Sequence, residues 1–161
     1  MSKLNNINSK QDHILACLSS APSNAKIIRS AARMAKALDS QFTALFVETP
    51  DFAVATDENK KRLEENRKLA EQLGATIETV YGDDIPYQIA EFARISGITR
   101  IVLGQSSAIQ KHLFGKPTLT QLLLSYVPEL DIQIIPDKAA DTTYHPKKAR
   151  KYHHEQIIKT L

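Results

Sequence analysis

Strands that alternate with helices along most of the chain predict an α/β domain on an open five-stranded parallel sheet, order 3-2-1-4-5, with helices on both faces. Three observations carry this expectation. The runs "HILACL" (13–18) and "RIVLG" (100–104) are apolar without alternation, as strands covered on both faces are. Between the candidate strands lie stretches with apolar residues at helical spacing. Each helical stretch is bounded by start and stop residues rather than by long polar linkers.

Taken in order, residues 1–12 ("MSKLNNINSKQD") are polar and unpatterned and read as a flexible arm. "HILACL" by itself suits either a doubly buried strand or the start of a helix; serines and a proline end it. From Asn24, residues Ile28, Ala31, Ala32, Ala35 and Leu38 repeat at helical spacing, with Lys26, Arg29, Arg33 and Lys36 on another face, so the helix has a basic outside. "FTALFVE" (42–48) is rich in the aromatic and β-branched residues that suit strands. "DENKKRLEENRKLAEQLG" (57–74) opens on acids and closes on Gly74, a helix with both ends marked. "ATIETVYGDD" supplies a third strand ending at Gly82. In "IPYQIAEFARISG", Asp83 and Asp84 precede a helix with Pro86 in its first turn. After "RIVLG", residues 105–117 ("QSSAIQKHLFGKP") read as a long loop, followed by a helix from Thr118 to about Val127 and a last strand, "DIQIIP".

The 161 residues suffice for one core without staples, and the single Cys17, set in an apolar run, is a small buried hydrophobe and not part of a disulfide framework. No cleavable leader and no membrane-length apolar run is present, which predicts a cytoplasmic location and no membrane span. Residues 1–136 carry fifteen Lys and Arg against fifteen Asp and Glu, whereas the basic tail, 137–161, carries six against three. A neutral body argues against a domain that grips nucleic acid across a broad basic face. The unit expected to bind ligand is therefore residues 13–136. His145, His153 and His154 lie in the tail without a carboxylate or thiolate cluster, so no metal site is assigned. No nucleophile elbow, Walker loop or Cys-x-x-Cys occurs, and no enzymatic reaction or cofactor is assigned.

In the expected topology ligands sit outside the carboxyl ends of the strands, where strand order reverses between strands one and four. The loops beginning at Ser19 and Gly104 should therefore face each other. "SSAPSNA" offers the hydroxyls of Ser19, Ser20 and Ser23 and the amide of Asn24, with the Ala21 backbone between them; "GQSSA" offers Gly104, Gln105, Ser106 and Ser107. Small donors without acids suit phosphate or ribose oxygens. His112 and Lys116 follow, and Thr118 can cap the next helix while donating to a ligand. The same serines also serve as ordinary turn formers, and Phe42, Thr43 and Phe46 as ordinary strand packing.

The segments "SSAPSNAKIIRSAARMAKAL", "FTALFVET" and "IVLGQSSAIQKHLFGKP" with "LLLSYVPELDIQIIP" resemble a universal stress protein domain of the kind found in KdpD, the sensor kinase of potassium uptake. Many members of that superfamily bind ATP, with an acid after strand one and a glycine-patterned loop. Here Ser19 and Ser20 replace the acid, and Ser107 and Pro117 stand where two of the glycines would fall. Losing the close backbone approach that glycines allow disfavours a triphosphate. The KdpD-type domains that bind cyclic di-AMP join a serine pair in the first loop to "FTAxY" on strand two. The resemblance thus implies a cyclic di-AMP receptor linked to potassium or osmotic control, with the loop serines, Phe42, Thr43, Ala44 and Phe46, and Phe114 in the second loop, at the ligand. Phe46 stands in place of the motif's tyrosine; it can stack on adenine but cannot donate a hydrogen bond. Thr43 and Ala44, expected at the end of strand two, would bring backbone groups to a base edge. ATP or AMP binding is the alternative ligand, and a ligand-free module dimerising through "DIQIIP" the alternative without one. A homodimer and a sensor-kinase or potassium-transport partner complete the expectation.

Overall fold

The computed structural model describes residues 11–109 and 115–136. His112, Phe114, the first ten residues and the tail from 137 onward, all named above, lie outside the described residues. The elements run β1 (His13–Cys17), α1 (Asn24–Leu38), β2 (Gln41–Glu48), a 3-10 turn (Pro50–Val54), α2 (Asp57–Gln72), β3 (Thr76–Tyr81), α3 (Ile85–Ile95), β4 (Arg100–Gly104), α4 (Gln105–Ile109), α5 (Leu119–Tyr126) and β5 (Asp131–Ile135). All strand pairings are parallel and the sheet order is β3-β2-β1-β4-β5, as expected from the sequence.

The sheet separates two cores. Ile14, Ala16, Phe42 and Ala44 pack on one face against Ile28 and Ala31 of α1 and Leu63 and Ala70 of α2. Leu15, Leu45, Ile101 and Leu103 pack on the other against Ile89 and Ala93 of α3 and Leu119 and Leu123 of α5. Ile14, Leu15 and Ala16 are fully buried in succession, which explains the unalternating apolar run. Burying each such aliphatic side chain contributes about 1.5–3 kcal/mol.

Helix ends follow local chemistry. Thr56 accepts from the Asn59 N–H at 3.2 Å to start α2, and Asp84 accepts from the Tyr87 N–H at 3.2 Å to start α3, with Pro86 in its first turn. Thr118 and Gln121 form a reciprocal capping box at α5. Gly74, with φ of 93°, turns the chain out of α2.

Two expectations are corrected. Residues 105–117 are not one loop, because α4 forms directly after β4. Ala108 is buried in the α3/α5 core, and the Thr120 hydroxyl donates to the Ala108 carbonyl at 2.9 Å, so packing against α5 organises a segment with little helical patterning of its own. Thr43 and Ala44 are not at the end of strand two. Thr43 pairs in register with Leu15 and Ala44 with Ala16, well short of where β2 ends at Glu48.

Candidate functional site

The β1 to β4 register sets the site. Ile14, Leu15 and Ala16 lie opposite Arg100, Ile101 and Val102, so the chain leaves β1 and β4 at the same level, on strands about 4.8 Å apart. From β1 it enters α1 on one face; from β4 it enters α4 on the other. The Ser19–Ser23 and Gly104–Ser107 segments therefore leave adjacent strands at the same carboxyl end, at the point where strand order reverses.

The first loop is held from behind. Leu18 extends the strand ladder, its N–H donating to the Leu45 carbonyl at 2.7 Å. Asn24, 2% exposed, donates through Nδ2 to the Cys17 carbonyl at 2.8 Å and accepts from the Ser19 N–H at 3.2 Å. Its amide is thus a structural brace inside the loop rather than a group offered to a ligand. The Ser19 hydroxyl accepts from the Ala21 N–H at 3.2 Å. Two side chains of α2 reach across: Asn66 Nδ2 donates to the Ser19 carbonyl at 2.8 Å, and Arg62 Nη1 donates to the Ser20 carbonyl at 3.1 Å. Arg62 also pairs with Glu58 at 2.8 Å.

With both carbonyls tied down, the hydroxyls of Ser20 and Ser23 carry no hydrogen bond among the described residues; Ser23 precedes α1 without capping it through its side chain. No acid lies between Leu18 and Asn24 or between Gly104 and Ile109. Burial pushes the Cys17 thiol up to about 12, so the strand end beside the loop holds a neutral thiol rather than a nucleophile.

In the second segment Gly104 is buried, Gln105 is half-buried, and Ser106 and Ser107 are exposed. Lys116 is exposed before α5. The Thr118 hydroxyl accepts from the Gln121 N–H at 3.2 Å, so the cap expected of it is made. The "FTALF" residues divide. Phe46, level with the first loop, is half-buried and packs edge-on against Phe52 with ring centroids 5.1 Å apart. Phe42, Thr43 and Ala44 do not reach the switch point. All three are buried, Phe42 pairs with Ile14 near the amino end of the sheet, and the Thr43 hydroxyl hydrogen-bonds His13 Nε2 at 2.7 Å.

Arg62 and Asn66 are the site residues that sequence reasoning missed. A signal existed, because Leu63, Asn66 and Ala70 share the inward face of α2 and an amide on an apolar stripe needs a partner. That the partner is the β1–α1 loop follows only from how α2 packs beside α1.

No family model matches the chain. It is 35% identical to the sensor protein KdpD of Clostridium acetobutylicum over 131 residues, which is 80% of this chain and 14% of that protein. It is 27% identical to KdpD of Escherichia coli over 121 residues, 75% of this chain and 13% of that protein. The chain thus spans about one seventh of the length of these relatives. Among solved structures, a universal stress protein crystallised in complex with cAMP matches with a TM-score of 0.57 at 16% identity, covering 78% of this chain and 97% of that one. UspA of Lactobacillus plantarum matches with a TM-score of 0.52 at 20% identity, covering 80% and 99%. The chain is homologous to KdpD sensor proteins over about four fifths of its length, and its fold is that of the universal stress proteins.

Proposed function

We propose that this chain is a cytoplasmic receptor domain that binds cyclic di-AMP at the switch point, without turning it over, and passes its level to a partner in potassium or osmotic signalling. The observation that carries the reading is the β1–α1 loop. Its carbonyls are held by Asn66 and Arg62, while the Ser20 and Ser23 hydroxyls have no hydrogen-bond partner among the described residues. A phosphodiester bears one charge per phosphate and is satisfied by hydroxyls, backbone N–H groups and a neighbouring cation such as Arg62, without a bridging metal. The absence of an acid in both segments suits an anion held directly.

Homology to KdpD sensor proteins supports a signalling role, and a protein of this fold is in complex with cAMP, itself a cyclic phosphodiester of adenosine. Phe46 offers a ring beside the loop for adenine to pack against. The same reading carries a homodimer through the β5 edge, which among the described residues pairs with β4 alone and exposes Ile134.

Calorimetric titration with cyclic di-AMP, ATP and AMP, each with and without magnesium, tests the ligand. Cyclic di-AMP should bind irrespective of magnesium and at least about tenfold more tightly than ATP or AMP. Tighter binding of ATP, a strict need for magnesium, or no binding of cyclic di-AMP would each overturn the reading.

A further inference from the structure

The basic outer face of α1 contributes no residue to the ligand site proposed above. Lys26, Arg29, Arg33 and Lys36 follow one another along about 15 Å of helix, and α1 contains no acid. Their pairing sets them apart. Every arginine outside α1 among the described residues, Arg62, Arg67, Arg94 and Arg100, has a carboxylate partner. Among the described residues Arg29 and Arg33 have none: there Arg33 donates to the Ser30 hydroxyl, and Lys26 to the Pro136 carbonyl.

These cations line concave surface. A groove of about 570 Å³ runs between α1 and the end of α2, walled by Arg29, Arg33 and Lys36 and floored by Ala32, Phe42 and Leu73. A second, of about 530 Å³, lies between α1 and the β5 edge, with Lys26 and Arg33 on its wall and Ile135 on its floor. Arg33 lines both. Among the described residues Asp39 is the one carboxylate lining either groove. The buried Ser40 hydroxyl, in the lining of the first groove, has no hydrogen-bond partner among the described residues.

We infer that this face is a docking surface for an acidic polypeptide segment of a partner protein, with apolar side chains seated on the groove floors and carboxylates on Arg29, Arg33 and Lys36. Charge complementarity selects the sign of the occupant. Arg33 lines both grooves, so an extended chain laid along α1 meets cations and apolar lining in each. The apolar floor favours a polypeptide over a nucleic-acid backbone, whose phosphates need cations on a wider face. The first groove sits at the amino end of the sheet, beside Phe42 and Gly74, and so is separate from the nucleotide site.

The probe is a fluorescent peptide of about twelve residues, Glu and Asp with a central Leu-Phe pair, beside a counterpart with Lys at every acidic position. The acidic peptide should bind, perturb backbone NMR signals around Arg29, Lys36, Phe42 and Leu73, and lose affinity as salt rises from about 50 to about 300 mM. Arg29→Glu with Arg33→Glu should weaken it at least about tenfold, and the milder Arg29→Gln with Arg33→Gln should weaken it less, with the melting temperature unchanged in both. The inference is overturned if the acidic peptide fails to bind, if the lysine counterpart binds equally, if the perturbed signals lie elsewhere, or if the charge reversal leaves affinity intact. It is equally overturned if the surface engages only single-stranded DNA or only vesicles with about 30% phosphatidylserine.

Discussion

The Arg62 guanidinium donates to the Ser20 carbonyl at 3.1 Å, tying the middle of α2 to the loop that leaves β1. One turn further along α2, Asn66 does the same for Ser19 at 2.8 Å. The two contacts differ in what they are worth. Asn66 is 7% exposed, and Asn66→Ala leaves the Ser19 carbonyl without its partner, so it should cost about 1–3 kcal/mol in urea unfolding. Arg62→Ala removes a pair whose Glu58 partner is largely exposed, and should cost under about 1 kcal/mol. Its effect should appear instead as a loss of about tenfold in cyclic di-AMP affinity, measured by calorimetry, because it removes the cation beside the loop.

Ser20→Ala with Ser23→Ala should separate binding from stability. Neither hydroxyl has a hydrogen-bond partner among the described residues, so the unfolding midpoint should move by no more than about 0.5 kcal/mol. Cyclic di-AMP binding should weaken by about 1–3 kcal/mol. An unchanged affinity would place the phosphates elsewhere.

His13 makes stability depend on pH at the other end of the sheet. Burial holds its imidazole below the ordinary 6.5, partly offset by a hydrogen bond to the Ser96 backbone. Protonation therefore favours the unfolded chain. The contribution of the neutral ring is present in full above about pH 6.5 and is lost as pH falls from there through the lowered folded value. Urea midpoints taken between about pH 7.5 and pH 5 should fall more steeply in the parent than in His13→Gln. Equal slopes would remove His13 as the cause.

Asp39 ends α1 with φ of 48°, a left-handed conformation that glycine adopts more readily. Asp39→Gly should stabilise the fold by about 0.5–1 kcal/mol, aided by removing a negative charge from a helix carboxyl end. It should also tighten the acidic peptide, since it deletes a carboxylate lining the first α1 groove. Thermal melting reads the first effect and fluorescence anisotropy the second.

What local chemistry writes plainly, the sequence carried through to the fold. The unbroken apolar runs at Ile14–Ala16 and Ile101–Leu103 mark doubly covered strands, Asp84 and Thr118 mark helix starts, and Gly74 marks a stop. Together they determined the element order and, through the handedness of parallel crossovers, the sheet order and the position of the switch point. Helix α4 was illegible because its order comes from Ala108 entering a core made by α3 and α5, a contact between distant segments.

The residues around the first loop show the same division. That Ser20 and Ser23 sit in the loop between β1 and α1 was determined by the sequence alone; that Asn24 is spent on bracing that loop was decided by its burial, and that Arg62 and Asn66 hold it by the approach of α2. Strand register withdrew Phe42, Thr43 and Ala44 from the site, since pairing with Ile14, Leu15 and Ala16 buries them low in the sheet. Spacing along the chain specifies which residues share a face, but buried polar groups find their partners only when elements pack, and that packing decides which side chains are left for a ligand.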